Sequence, residues 1–229
     1  MSRKNTRPAD HLSSSLTDLM TSLMVIFVLL LVTKLNNQAG QRAAMAAELE
    51  RRLANHMRQY SQDHHIGRDR DDPNTLVISI PDTLLSFATQ DYHLKPEGQQ
   101  YLRQHIPAWA KILCAGDIRP NLDTIIVEGH SDRTQWQGST YEESKEKNLL
   151  LSQQRSMAVV SSSLEFLKSD PSLRDCFLEK LSATGRGEED PIDTSAADSP
   201  KNRRVAFRIR LRPEVMGEVA ERLREDLQR

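Results

Sequence analysis

Cysteine is scarce in this chain: Cys114 and Cys176 are the two among 229 residues. That is too few for a disulfide scaffold, and no metal-ligand cluster surrounds them. Charge of one sign is scarce as well, with 31 Lys and Arg against 32 Asp and Glu. Such a balance gives no sign of nucleic-acid binding. Only residues 16–32 form a long hydrophobic run, so the remainder reads as a soluble body. No small-x-small cleavage site closes that run, which meets Lys34, Leu35, Asn36 and Asn37 instead. An uncleaved anchor is therefore expected rather than a signal peptide. Nor does a catalytic constellation emerge. His130, Ser131 and Asp132 are adjacent, and neighbours on a strand point to opposite faces, so they cannot form a triad. His64 and His65 stand on a polar stretch and read as solvated residues rather than metal ligands. No enzymatic activity, no metal and no resident cofactor are expected.

What is present is ordinary globular composition, 38% hydrophobic and 28% charged, with an apolar segment attached. It fits an anchor plus one soluble domain of about 130–150 residues. Residues 12–35 would span roughly 36 Å as a helix at ~1.5 Å per residue, enough to cross hydrocarbon with some tilt. Arg3, Lys4 and Arg7 precede the span in a leader at residues 1–11 and favour a cytoplasmic N-terminus, although Lys34 and Arg42 follow.

One carboxylate, Asp18, lies in the first turns of the span. A charge in hydrocarbon costs ~2.5–3.5 kcal/mol even on the lenient insertion scale, so it seldom sits there without a task. Ser14, Ser15, Asp18, Thr21 and Ser22 recur at three- and four-residue spacing, which puts them on one helix face. Leu23 to Val32 has no polar side chain. A stripe of that kind needs a protein surface or a water-filled path. The bland reading is that Asp18 sits solvated and idle in the headgroup zone.

Ala39 to Tyr60 reads as a helix, with Met45, Leu49, Leu53 and Met57 every four residues. Ser61 to Asn74 is polar and acidic and reads as a linker. Leu76–Ile80, Ile125–Glu128 and Val205–Leu211 alternate and are β-branched, as strands are, and Leu181–Ala183 reads as a further short strand. Lys95–Ala115 and Asn148–Lys168 carry helical periodicity, with Gly116 as a stop signal. Residues 213–229 close the chain as an amphipathic helix with Met216, Val219, Leu223 and Leu227 on one side. Strands alternating with helices indicate an α/β sandwich behind a single transmembrane helix.

Residues 17–31, Thr-Asp-Leu-Met-Thr-Ser-Leu-Met-Val-Ile-Phe-Val-Leu-Leu-Leu, resemble the span of the B subunits of ion-driven stator motors, of which the flagellar MotB is one type. That resemblance implies an ion-binding Asp18, with Thr21 and Ser22 beside it on the stripe, carrying H+ or Na+. Ser15, Leu16 and Thr17 stand where the flagellar proteins often have Trp and Tyr-Ala; with the short leader this looks more like the ZorB subunits of Zorya phage-defence systems. For residues 36–75 the family offers a plug ahead of the linker; a dimeric stalk continuing the membrane helix fits the same periodicity.

Three further segments resemble the OmpA-like peptidoglycan-binding domain: Ile126-Val127-Glu128-Gly129-His130-Ser131-Asp132, Asn148-Leu149-Leu150-Leu151-Ser152-Gln153-Gln154-Arg155, and Gly185-Arg186-Gly187-Glu188 with Pro191 and Asn202-Arg203-Arg204-Val205. Upstream, Phe87 through Leu94-Lys95-Pro96-Glu97-Gly98 fits the approach to the first helix, with Gln90 in place of a common glycine. The likeness spans residues 76–212. It implies a site for diaminopimelate, whose ammonium and carboxylate share one carbon. Asp132 would take the ammonium and Arg155 the carboxylate in bidentate fashion. Asn148, Leu151 and Phe87 would line the pocket, and Arg203 would hold its floor. The stretch between Asp132 and Asn148 is longer than usual and contains Trp136 and Tyr141. It reads as a lid, a dimer contact or a neutral insertion.

In such a sandwich Cys114, ending the first helix, and Cys176, following the second, lie on the same side of the sheet. A disulfide between them and two free thiols are both open readings. The expected protein is thus an inner-membrane B subunit with a periplasmic domain. It would form a homodimer inside a ring of polytopic A subunits and grip peptidoglycan. The alternative, a passive membrane-to-wall tether, would need neither Asp18 nor the stripe.

Overall fold

The computed structural model describes residues 8–58, 65–88 and 90–212, with side chains outside 8–15 and 38–42. The chain divides into two compact units, residues 1–44 and 45–229. The first is the start of α1 (Pro8–Met57). Its segment Leu16–Asn37 is long and apolar enough to cross a membrane, and its side chains are exposed throughout. An apolar run free of Gly and Pro satisfies its own backbone bonds only as a helix, which is what such a segment needs in hydrocarbon.

The second unit is built on a five-stranded sheet: β1 (His65–Arg68), β2 (Thr75–Pro81), β3 (Leu122–His130), β4 (Leu181–Gly185) and β5 (Arg204–Leu211). The spatial order is β1-β2-β5-β3-β4, antiparallel except for the β3–β4 pair. Alternation along the strands turns Leu76, Ile78, Ile80, Ile125, Val127, Val205, Phe207 and Ile209 into one buried face. After β2 comes a single helical turn, α2 (Asp82–Leu85), and into the core pack α3 (Pro96–Leu113), through Leu102, Ile106, Trp109 and Leu113, and α4 (Tyr141–Phe166), through Val159. The Trp109 ring meets Phe207 edge-on at 5.4 Å. Cys114, capping α3, is bonded to Cys176. A bridge across 62 residues removes about 4 kcal/mol of unfolded-chain entropy.

Several elements differ from the sequence reading. His65–Arg68, expected within a linker, is edge strand β1, paired with β2 from His65↔Ser79 to Arg68↔Leu76. The acidic stretch after it is a tight turn in which Asp69 accepts from the Asp71 and Asp72 N–H groups. Cys176 does not merely follow α4: it lies inside a further helix, α5 (Pro171–Lys180), capped by Asp170 accepting from the Leu173 N–H. Helix α4 begins at Tyr141, not Asn148, because Thr140 and Glu143 form a capping box. The Met45, Leu49, Leu53 and Met57 stripe, for which a plug or a stalk was expected, is taken up by the domain: Leu49, Leu53 and Met57 are buried in the sheet's own core. Arg52 anchors this stretch to Asp117, and Glu50 faces Arg68 of β1. Residues 213–229, expected to form a helix, and His64 lie outside the described residues.

Candidate functional site

The site forms where β3 ends against α4. A Cβ on Gly129 would lie 2.0 Å from the Ser152 carbonyl oxygen, so only glycine lets the strand and helix backbones meet this closely. Past Gly129, His130 closes the strand, and the Ser131 N–H donates to the Gly187 carbonyl. Asp132 follows, 7% exposed, with Oδ1 accepting from the Thr134 N–H.

On α4, Asn148, Leu151, Ser152 and Arg155 recur at helical spacing and are all buried. Arg155 is held by backbone rather than by a carboxylate. Its Nε donates to the Asp91 carbonyl at 2.9 Å and its Nη2 to the Ala88 carbonyl at 3.2 Å, while the guanidinium lies 4.9 Å from the centre of the Phe87 ring. Ser86 and Gln90, both in the left-handed region, shape the loop that offers those carbonyls. Burial pulls the Arg155 pKa down. Asp82 is the neighbouring charge that opposes this most, ahead of Asp132 and Asp91. Among the described residues two of the five guanidinium donors are occupied, which leaves others for a carboxylate.

Asp132 finds its cation elsewhere. Among the described residues its ion pair is with Arg203, whose Nη1 donates to Oδ2 at 2.7 Å; none joins it to Arg155. Arg203 also lies 3.5 Å from Asp82 and donates to the Asp198 carbonyl. Arg203 therefore bridges two carboxylates. Asn148, expected as a lining residue, has its amide spent on the protein: Oδ1 accepts from the Trp136 indole at 2.7 Å, and Nδ2 donates to the carbonyls of Asp132 and Thr134. It positions the turn that presents Asp132. The long stretch before α4 is thus part of the site's scaffold, with Trp136 fixed on Asn148 and Lys147 5.7 Å from its ring. Leu151 is buried beside Arg155 on the α4 face. Asp82 is the residue that sequence reasoning missed; its position directly after β2 was the available signal.

Behind the site, burial and then Arg204 push the His130 pKa down to about 4. His130 is therefore neutral at neutral pH, and its 3.8 Å approach to Glu128 is no ion pair there. Among the described residues no group of three or more His, Cys, Asp and Glu could hold a metal. In the first unit, Asp18, Thr21 and Ser22 share one face of α1 and are exposed. The Thr21 hydroxyl donates back to the Thr17 and Asp18 carbonyls, a common resting place for a helical threonine.

Residues 86–204, more than half of the chain, match the OmpA family. The chain belongs to the OmpA family. The match runs from the loop that bears Phe87 to the first residue of β5. Comparison with curated protein sequences gives no match. Among solved structures the chain is similar to a MotB-like protein from Desulfovibrio vulgaris, at 22% identity and a TM-score of 0.50, covering 76% of this chain and 96% of that one. It is also similar to the cell wall anchor of the type VI secretion system from Pseudomonas aeruginosa, at 24% identity, 72% and 97% coverage and a TM-score of 0.47. The periplasmic domain of Helicobacter pylori MotB matches at 16% identity, 72% and 93% coverage and a TM-score of 0.49. At 22% identity the likeness to the Desulfovibrio vulgaris protein is one of fold, that of an OmpA-like α/β domain.

Proposed function

We propose that this chain is the B subunit of an ion-driven motor in a cell inner membrane, anchored to peptidoglycan by its OmpA-family domain. The observation that carries the wall-binding half is Arg155. It is a buried guanidinium, fixed by two carbonyls and an aromatic ring, with donors to spare and a carboxylate system alongside. Such a group is pre-organised for a carboxylate, and Asp132 has acceptor capacity left for an ammonium. The zwitterionic end of diaminopimelate matches both. The disulfide fits a periplasmic location, where thiols are oxidised.

The motor half rests on Asp18. Protonation or sodium binding would neutralise the carboxylate on each cycle, with Thr21 and Ser22 on the same face and a ring of polytopic A subunits around a dimer of this chain. Ser15, Leu16 and Thr17 before Asp18 favour a phage-defence motor of the Zorya type over a flagellar one. A passive tether would bind the wall equally well but gives Asp18 no task. Asp18→Asn keeps shape and polarity but cannot cycle charge. The expected outcome in a phage-plating or motility assay is complete loss of function with the membrane complex still assembled. Full activity of the variant would leave the tether.

A further inference from the structure

Asp82 is placed where a carboxylate needs a reason. Its Oδ1 is buried and has no hydrogen-bond donor among the described residues, while Oδ2 lies 3.5 Å from Nε of Arg203. Its backbone is tied to the same residue, the Asp82 N–H donating to the Arg203 carbonyl at 2.9 Å. A half-buried carboxylate with one oxygen left unsatisfied calls for an explanation, and its charge supplies one when it serves a neighbour. Two cations are served here. Arg203 is shared between Asp82 and Asp132, and Arg155 feels Asp82 more strongly than any other anion.

We propose that Asp82 is the fourth charge of the receptor, a positioning carboxylate that shares Arg203 with Asp132 and balances Arg155, so that the site selects ligands whose ammonium and carboxylate are both free. This rests on the peptidoglycan reading above. The two carboxylates and two guanidiniums of this set sum to zero, while Asp91, hydrogen-bonded to His93 and 39% exposed, is screened by solvent, so a zwitterion enters without leaving a charge of the set unbalanced. A stem whose amine is acylated, as it is in a cross-link, brings one net negative charge. Arg155 meets that charge, but Asp132 then faces an amide in place of an ammonium. The receptor accordingly reads un-cross-linked stems. Neutralising Asp82 makes the site net positive and leaves Arg203 wholly to Asp132, loosening that carboxylate's hold on an ammonium. Selectivity then shifts toward the acylated, anionic ligand.

The experiment is calorimetric titration of the full chain in detergent with two probes: the tripeptide alanyl-γ-glutamyl-diaminopimelate with its distal amine free, and the same peptide with that amine acetylated. The wild type is expected to favour the free amine by about tenfold or more, the size of one unbalanced charge in a half-buried site. Asp82→Asn should bring the ratio close to one, and Asp82→Glu, which keeps the charge, should restore most of it. A wild type that binds neither peptide removes the peptidoglycan reading itself. A wild type that binds both equally, or an Asp82→Asn chain that keeps the full preference, overturns the proposal alone. An Asp82→Asn chain that no longer melts cooperatively makes Asp82 a purely structural carboxylate and overturns it as well.

Discussion

Arg203 donates from Nη1 to Oδ2 of Asp132 at 2.7 Å, so the carboxylate at the end of β3 is held by the residue that leads into β5. Arg155 is free of that duty. The two arginines are held differently: Arg203 maintains the carboxylate, and Arg155 is held by backbone carbonyls.

A double-mutant cycle on thermal melts should expose this division. Arg203→Ala strands the buried Asp132 carboxylate and Asp132→Ala leaves Arg203 with Asp82 alone; each should cost about 1–2 kcal/mol, with strong coupling between them. Asp132→Ala and Arg155→Ala should add to within ~0.5 kcal/mol in stability, because no bond joins the two residues. Coupling of Asp132 to Arg155 instead of Arg203 would contradict the geometry.

The membrane-proximal stripe should behave as core. Leu53 is fully buried, so Leu53→Ala is expected to cost about 2–5 kcal/mol in the melting of the soluble domain. For the same reason a fragment beginning at Leu76 should be much less stable than one beginning at Met45. Equal stability of the two fragments would show that residues 45–57 are not part of the folded unit.

His130 should make the domain acid-sensitive well above the carboxylate range. Burial, with Arg204, lowers its pKa from 6.5 to about 4. The unfolded chain then binds the extra proton between those two values, so this contribution is fully present above pH 6.5 and is lost as pH falls toward 4. The loss should reach about 3 kcal/mol, at ~1.4 kcal/mol per pH unit. Urea melts across that window should show the slope, and His130→Gln should flatten it.

Where the chain alternates β-branched residues, as over Leu76–Ile80 and Val205–Leu211, strand and burial were legible because the pattern states which face is dry. β1 carries Ile66 and little else apolar, so only its pairing with β2 reveals it. Helix α5 did leave a signal: Asp170-Pro171 is a cap followed by a first-turn proline, and Leu173, Cys176 and Phe177 keep helical spacing. At the site, the positions of Asp132, Asn148 and Arg155 were legible from their motifs, but their partners were not. Arg203 meets Asp132 across 71 residues of sequence, and nothing local says which arginine a carboxylate will choose. Asp82 owes its place to that same tertiary contact. The amide of Asn148 could not be assigned either, because Trp136 reaches it only once the capping box has fixed where α4 begins.

The central claim is that Asp132 and Arg155 seize one wall group together, and co-sedimentation of the purified chain with isolated sacculi tests it most directly. Wild type should pellet with the sacculi. Asp132→Ala and Arg155→Ala should each remove most of that binding, and the double variant should be scarcely worse than either, since each loss concerns the same bound group. Melting curves taken alongside must show folded protein in every case. Undiminished pelleting of both folded single variants would contradict the account.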